Sequence, residues 1–262
     1  MARTEDRFLR GVTGGVFLFL YAPILVLVVL AFNESGLPTT WSGFSLHWYR
    51  EAFANTAITS SLRNTLVVAI ASMVLSTVIG SMLAMGLERA ARRSRALASV
   101  VYAPLVIPDI VLAAALLSFY NLVFSRGFGL QLGLWSVILA HTTFNIAFVA
   151  AIVRTRFRDM DWSTVEASLD LGASHLRTIR KVVLPTVLPG VVAAALVAFT
   201  LSLDEFVIAF FTAGTAITFP IQVYSMIRFG VTPEVNAISS VVIVASTLLL
   251  IASQRLRGGR VL

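Results

Sequence analysis

The segment Leu188–Phe211 reads LPGVVAAALVAFTLSLDEFVIAFF, and its only charged residues are Asp204 and Glu205. About 20 mostly apolar residues in a helix are enough to cross the roughly 30 Å of hydrocarbon in a bilayer. Lipid offers no hydrogen-bond partner to a polypeptide backbone, so such a segment has to be helical. The sequence therefore predicts a transmembrane helix here.

The same pattern recurs along the whole chain of 262 residues. Hydrophobic residues make up 58% of it and charged residues 13%, whereas a soluble domain carries about a quarter charged residues. We therefore predict a single all-α membrane domain over residues 1–262, with six spans. The third span is expected to start late or to be broken, because Pro104 and Pro108 lie near its beginning. The approximate spans are Gly14–Phe32, Asn64–Leu87, Ala98–Val123, Leu134–Val153, Leu188–Phe211 and Ala237–Ser253.

The positions of Lys and Arg predict which connecting segments lie in the cytoplasm. Only Arg50, Arg63, Arg126 and Arg228 fall in one set of segments, and all other basic residues fall in the alternate set. Both termini are therefore expected in the cytoplasm. The net charge of +7 follows from this topology, and no nucleic-acid partner is expected. The basic residues of the cytoplasmic set are Arg3, Arg7, Arg10, Arg89, Arg92, Arg93, Arg95, Arg154, Arg156, Arg158, Arg177, Arg180, Lys181, Arg255, Arg257 and Arg260.

Several chemistries are excluded by residues and motifs that the sequence lacks. It contains no cysteine, which rules out disulfides, thiolate metal sites and cysteine catalysis. It has no G-x-x-x-x-G-K-[ST] phosphate loop, so the chain itself is not expected to hydrolyse ATP. The motifs H-E-x-x-H and G-x-S-x-G are also missing, which argues against a membrane hydrolase. We expect no catalytic residue, metal site or cofactor in this chain.

The fourth-to-fifth loop, residues 154–186, is longer than a simple connection requires. From Arg156 to Pro185 it reads RFRDMDWSTVEASLDLGASHLRTIRKVVLP. Ser163 followed three residues later by Glu166 fits a capping box, so a short helix is expected to begin near Ser163. Gly172 is suited to the left-handed position that commonly ends a helix.

A second short helix is predicted after this glycine. Ser174 can cap its start, and basic residues in its last turn interact favourably with the helix dipole. Pro185 and Pro189 are expected to limit its continuation into the fifth span. The pattern alone fits either an interfacial hairpin that stabilises the bundle or an element that docks on another protein.

The loop resembles the EAA loop of importer-type ABC permeases. The resemblance rests on Glu166-Ala167-Ser168, on Gly172 six residues after the glutamate, and on Leu184-Pro185. It implies that the first short helix is a coupling helix seated in a groove of a separate ATPase. Ser168 stands where the family most often has a second alanine, and a small serine is compatible with docking. The implied coupling residues are Glu166, Ala167, Ser168, Asp170, Gly172 and Ala173.

Three carboxylates lie inside the predicted spans, where ionisable residues are costly and indicate function. They are Asp109, Asp204 and Glu205, and no Arg or Lys lies in the same spans to neutralise them. Facing a cavity, such a cluster would attract a cation, so we regard all three as candidates for contact with the cargo or a gate. The alternatives are hydrogen bonding to backbone groups freed by the prolines, and carboxyl groups that stay neutral.

Three uncharged residues lie near these carboxylates in the predicted spans. Tyr120, near the outer end of the third span, is a further substrate or gate candidate because an aromatic face can hold a cation, although packing explains it as well. His141 and Asn145 are polar neighbours in the fourth span. His141 fits a role as a hydrogen-bond donor in helix packing better than a role as a ligand.

Further segments resemble the second permease of the spermidine/putrescine importers, and with the loop the similarity covers nearly the whole chain. It implies a type I ABC importer permease (MetI-like) architecture and a small cationic cargo, a polyamine. The family usually has Asp-Asp where this chain has Asp204-Glu205, which leaves the particular amine open. Relatives that carry opines, phosphonates or other small solutes share much of this scaffold. The segments are Ala31-Phe32-Asn33, Pro108-Asp109-Ile110-Val111, Leu201-Ser202-Leu203-Asp204-Glu205, Tyr224-Ser225-Met226 and Gly230–Ala237.

The resemblance also implies a heteromeric transporter in the bacterial inner membrane. A second homologous permease would complete the pathway within the lipid, and two ATPase subunits would bind ATP and Mg. An extracytoplasmic solute-binding protein would deliver the cargo. The alternative is a secondary transporter driven by an ion gradient, which would show inverted repeats with broken helices and would not need the Glu166–Pro185 pattern.

Overall fold

The computed structural model describes residues 2–36, 40–90, 95–228 and 233–257, and within these ranges it is helical without β-strands. Arg92, Arg93, Arg260 and Gly230–Thr232, which the sequence singles out, lie outside the described residues. The α-helices are α1 (Ala2–Leu30), α2 (His47–Ala54), α3 (Thr56–Ala90), α4 (Arg95–Tyr102), α5 (Asp109–Tyr120), α6 (Arg126–Phe128), α7 (Leu134–Arg158), α8 (Ser163–Asp170), α9 (His175–Thr178), α10 (Leu184–Asp204), α11 (Val207–Thr212), α12 (Phe219–Arg228) and α13 (Pro233–Arg257).

Five helical stretches among the described residues are long and apolar enough to cross a membrane. This confirms the prediction of an all-α membrane protein. The sixth predicted span, Ala237–Ser253, falls within α13 and is not among these five stretches, so the sixth span stays a prediction. The five stretches are Leu9–Leu30, Thr56–Arg89, Asp109–Phe128, Leu134–Arg158 and His175–Asp204.

The third span starts late, as its prolines predict. A 3-10 turn, Ala103–Leu105, separates α4 from α5, and α5 begins at Asp109 directly after Pro108. This interruption agrees with the predicted broken or late start, because each proline lacks a backbone N–H and its ring crowds the preceding turn.

The second part of the fourth-to-fifth loop (residues 154–186) continues directly into the fifth span. A π turn, Ile179–Val183, joins α9 to α10, so the prediction that Pro185 and Pro189 limit the helix here is wrong. Pro185 lies in the first turn of α10. A π turn pairs residues five apart, and this wider turn accommodates the proline that follows it.

The fifth span ends earlier than predicted. α10 stops at Asp204, and Glu205 is extended, with a ψ angle of 107°. The next helix, α11, begins at Val207. The predicted continuous span to Phe211 is therefore broken at its two carboxylates.

The described residues fall into two compact units. In the first unit, Phe32 stacks on Phe44 with ring centroids 5.3 Å apart, and Tyr49 packs on Phe32 at 5.1 Å. The Tyr49 hydroxyl shares a hydrogen bond of 2.8 Å with Ser240 of α13. These contacts attach two parts of the chain to α13, namely the segment that follows α1 and the helix α2. The units are residues 1–59 with 222–249, and residues 60–221 with the C-terminal residues.

The core of the second unit contains α3, α7 and α10. α3 presents a buried small residue at every fourth position: Ser72, Ser76, Gly80 and Ala84. Small residues let membrane helices approach closely. A Cβ added at Gly80 would lie 2.7 Å from the Cβ and Cγ1 of Val149 on α7, so this glycine is required by the closeness of the two helices.

We expect Gly80→Ala to destabilise the protein and Gly86→Ala, on the same helix, not to. Overpacking a tight contact costs about 1–3 kcal/mol, whereas no heavy atom lies within 4 Å of a Cβ at Gly86. Both changes raise helix propensity by about 1 kcal/mol, so the comparison isolates the contact. The measurement is the apparent melting temperature of the detergent-solubilised protein. Equal melting temperatures for the two variants would contradict this packing.

Candidate coupling loop and carboxylate site

The helix α8 begins at Ser163, as predicted, but its N-cap residue is Trp162, and the carboxylate of Asp161 binds its first residue. The Ser163 N–H donates to Asp161 Oδ1 at 3.0 Å, and the Ser163 hydroxyl donates to Asp161 Oδ2 at 2.9 Å. These two hydrogen bonds lower the pKa of Asp161 below its ordinary value. The capping box assigned to Ser163 and Glu166 is wrong, because the Glu166 N–H donates to the Trp162 carbonyl at 3.1 Å and not to the Ser163 hydroxyl.

Gly172 ends α8 in the left-handed conformation that the sequence predicts, with a φ angle of 82°. The Gly172 N–H donates to the Leu169 carbonyl at 2.9 Å, and the Ala173 N–H donates to the Ser168 carbonyl at 3.1 Å. This pair of bonds is the Schellman motif, which satisfies the last carbonyls of a helix. No heavy atom lies within 4 Å of a Cβ at Gly172, so glycine is needed for its backbone angle.

Two side-chain contacts hold the segment after this corner. The Ser174 hydroxyl accepts from the Arg177 N–H at 3.4 Å, which confirms Ser174 as the cap of α9. The hydroxyls of Ser168 and Thr178 share a hydrogen bond of 3.0 Å. Ser168, the departure from the family pattern, therefore ties α8 to α9 across the corner, which an alanine could not do.

The loop has one buried side and one exposed side. Met160 and Val165 are buried in the core cluster of the second unit. Leu171 and Leu176, on the other side, are 89% and 76% exposed. Among the predicted coupling residues, Ser168 and Ala173 are half-buried, and the exposed ones are Glu166, Ala167, Asp170 and Gly172.

Leu171 and Leu176 were missed in the sequence. In a chain that is 58% hydrophobic, two more leucines do not differ from the many apolar residues around them. The available signal was their position on either side of a glycine corner, in a loop whose other apolar residues are needed inside.

The structure brings together the three carboxylates that the sequence proposes. Asp109 lies in the first turn of α5, and Asp204 and Glu205 lie at the break between α10 and α11. Glu205 interacts electrostatically with both Asp109 and Asp204. In the described part of the chain, no Lys or Arg forms a salt bridge with any of the three.

The three carboxylates do not form a metal site. No group of His, Cys, Asp and Glu within the described ranges is placed to hold a metal ion. Asp109 and Asp204 are exposed, and Glu205 is half-buried.

Glu205 also has a structural role. Its Oε1 accepts from the Ile208 N–H at 3.0 Å, in the first turn of α11. The first N–H groups of a helix have no partner inside it, and a side-chain oxygen just before the helix can satisfy one of them. A hydrogen bond from Glu205 to the backbone and a contact of Glu205 with cargo are thus compatible hypotheses.

A buried polar layer lies one helical turn before the break. Ser72 donates to the Ser202 hydroxyl at 3.0 Å, and Nδ1 of His141 shares a hydrogen bond of 2.7 Å with the same hydroxyl. Asn145 donates to the Ala198 carbonyl at 3.3 Å. His141 thus joins α7 to α10, which agrees with its predicted role in packing, and the layer fixes the end of α10 that carries Asp204.

Tyr120 lies in an aromatic cluster. Its side chain is 3% exposed, and its ring centroid lies 5.8 Å from Phe124 and 6.0 Å from Trp135. Within this chain the Tyr120 ring packs against other aromatic rings. The other candidates Asp109 and Asp204, in contrast, are exposed.

Comparison with known proteins identifies the relatives of this chain. Residues 76–258 match the family described as binding-protein-dependent transport system inner membrane component. The spermidine/putrescine transport system permease protein PotC of Escherichia coli strain K12 is 37% identical over 95% of this chain and 93% of its own length. The putrescine transport system permease protein PotI of the same strain is 39% identical over 87% of this chain and 82% of its own length.

Solved structures show the same fold at low identity. A bacterial ABC transporter involved in the import of the acidic polysaccharide alginate gives a TM-score of 0.71 at 16% identity, covering 97% of both chains. The MetNI methionine ABC transporter in an inward-facing conformation gives 0.59 at 20% identity, covering 77% of this chain and 97% of the other.

These matches confirm the prediction of a transport permease and of a multi-pass protein of the bacterial inner membrane. The family match spans more than half of the chain and includes α7 to α13 and the whole fourth-to-fifth loop. This chain belongs to the family of inner membrane components of binding-protein-dependent transport systems.

Proposed function

We propose that this chain is a permease subunit of an ABC importer that carries a polyamine. The observation that carries the proposal is the group of Asp109, Asp204 and Glu205, which has no basic partner among the described residues. Carboxylates within the membrane are costly unless they pair with cations, and a cargo with several ammonium groups supplies them. The names of the relatives PotC and PotI point to the same class of cargo.

The position of the carboxylates suits transport better than permanent binding. Asp204 and Glu205 lie where α10 breaks, and Asp109 lies at the interrupted start of α5. Irregular backbone at membrane depth is tolerated where it is buried in protein or lines a cavity. A cargo held at such breaks can be released when the helices move.

The assembly that we propose contains this permease, a second homologous permease, two ABC ATPase subunits and an extracytoplasmic solute-binding protein. α13, with 25 residues, would be the sixth span, and both termini would lie in the cytoplasm. ATP and Mg would be bound by the ATPase subunits. A structural neighbour, the bacterial alginate ABC transporter, was solved in complex with a periplasmic protein that holds an alginate pentasaccharide, and this protein is a comparable component.

The loop around Gly172 would dock on the ATPase. α8 and the exposed Leu171 and Leu176 form a compact projection with apolar tips. Apolar side chains that fill pockets on a partner contribute most to such interfaces. The continuous stretch His175–Asp204 would then connect the docked loop with the carboxylate site.

The cargo assignment predicts that Asp204→Asn raises the spermidine concentration needed for half-maximal stimulation of ATP hydrolysis by about tenfold. Losing one hydrogen bond to a charged group costs about 1.5 kcal/mol, which is about a factor of ten in affinity. The measurement is spermidine-stimulated ATPase activity of the reconstituted complex.

Two variants control this experiment. Asp204→Glu retains the charge and should stay near wild type, and Glu51→Gln removes an exposed carboxylate of α2 outside the cluster. An unchanged spermidine dependence in Asp204→Asn would assign this residue a structural role.

The docking assignment predicts that Gly172→Arg lowers the amount of ATPase recovered with the permease at least about tenfold, because hot-spot residues contribute about 2 kcal/mol or more. Gly129→Arg is the matched control. Both glycines have positive φ angles, 82° and 69°, with open space around a Cβ, so backbone strain is similar and only position differs.

The amounts of both variants in the membrane are compared by immunoblot, and ATPase recovery is measured after purification in mild detergent. Equal recovery of the ATPase with both variants would show that the Gly172 corner is not a docking surface.

A further inference from the structure

The ring of Trp162 joins three helices at the start of the coupling loop. Trp162 directly precedes α8. The guanidinium carbon of Arg89, in the last turn of α3, lies 5.7 Å from the centroid of this ring. Phe157 of α7 stacks on it, with centroids 6.4 Å apart and an interplanar angle of 18°. A guanidinium at this distance is attracted to the face of the indole.

The residue before Arg89 ties the same end of α3 to α7. Glu88 Oε2 accepts from Arg154 Nε at 3.0 Å and forms a salt bridge with Arg158 Nε at 3.6 Å. Arg154 is 8% exposed and also donates to the Tyr102 hydroxyl at 3.4 Å. Removing one partner of a buried ion pair leaves an uncompensated charge, so this arrangement holds α3 and α7 together firmly.

The same region is seated on the apolar core. Met160 and Val165, on either side of Trp162 in the sequence, are buried with Ala84 of α3 and Phe157 of α7. Trp162 itself packs against this cluster. A loop that only connected two spans would not need buried anchors, a stacked ring and a cation at one point.

We propose that Glu88, Arg89 and Trp162 form a mechanical joint that passes a displacement of α8 to α3. The inference rests on the proposed docking of α8 on an ATPase, and it adds the residues that transmit the movement inside this chain. Glu88 fixes the end of α3 to α7, while Arg89 connects that end to the residue that starts α8. All three are positioning residues, since none lies among the carboxylates or at the exposed Gly172 corner.

The test measures spermidine uptake and ATP hydrolysis in the same proteoliposomes containing the complete transporter. Trp162→Ala and Arg89→Gln should each lower the amount of spermidine transported per ATP hydrolysed at least fivefold, while the ATPase subunits stay bound. Trp162→Phe keeps an aromatic face and should recover at least half of the wild-type ratio. Arg63→Gln removes the same charge near the opposite end of α3 and should keep the wild-type ratio.

A wild-type ratio in Arg89→Gln would overturn the joint. Arg89 is exposed, so this variant is expected to fold even if Trp162→Ala does not. The double variant should be no worse than the stronger single variant, because both remove the same contact, and additive losses would also contradict the proposal.

Failure of the joint differs from failure of the docking assignment. If Arg89→Gln releases the ATPase subunits from the membrane, the residue acts in docking and the joint is refuted. If Gly172→Arg retains both ATPase and uptake, docking itself is refuted, whatever the ratio in the Trp162 variants.

Discussion

The close contact between α3 and α7 is the constraint on which the second unit depends. Lipid is as apolar as the side chains, so membrane helices associate mainly through close packing and hydrogen bonds. The missing side chain at Gly80 makes this packing possible, because Val149 occupies its space. The contact also sets the alignment of both ends. Toward one end Ser72 reaches Ser202 of α10 at 3.0 Å, and toward the other Glu88 reaches Arg154 at 3.0 Å. A shift of one residue between the helices would disrupt both.

The two regions assigned a function are those where regular helices are interrupted. The chain breaks before Asp109 and after Asp204, and it turns at Gly172. At each place the backbone needs hydrogen-bond partners from outside the helix. Glu205 supplies one at the break, and the Schellman bonds supply them at the corner. This separates the carboxylates into Glu205, which has a structural task, and Asp109 and Asp204, whose side chains are exposed.

Much of this architecture could be predicted from the sequence, where the physical signal is local. Apolar runs locate the spans, and the backbone angle at Gly172 follows from its position after a short polar helix. The late start after Pro108 follows from the lost N–H. Which of several neighbouring groups forms a given hydrogen bond could not be predicted, because the choice depends on the distances between them. Ser163 donates its hydrogen bonds to Asp161, and a π turn lets the helix pass Pro185. Exposure of Leu171 and burial of Tyr120 were also hidden, since sequence alone does not distinguish one apolar residue from another in such a chain.

The uninterrupted stretch from His175 to Asp204 has a consequence for how this sequence can vary in length. A helix advances about 1.5 Å and turns about 100° with each residue. One inserted or deleted residue would therefore rotate Asp204 by about 100° around the helix axis relative to the loop at the other end. Substitutions along the stretch leave this phase unchanged, but length changes do not. We therefore expect related chains to conserve the number of residues between the loop and the carboxylate more strictly than their identity.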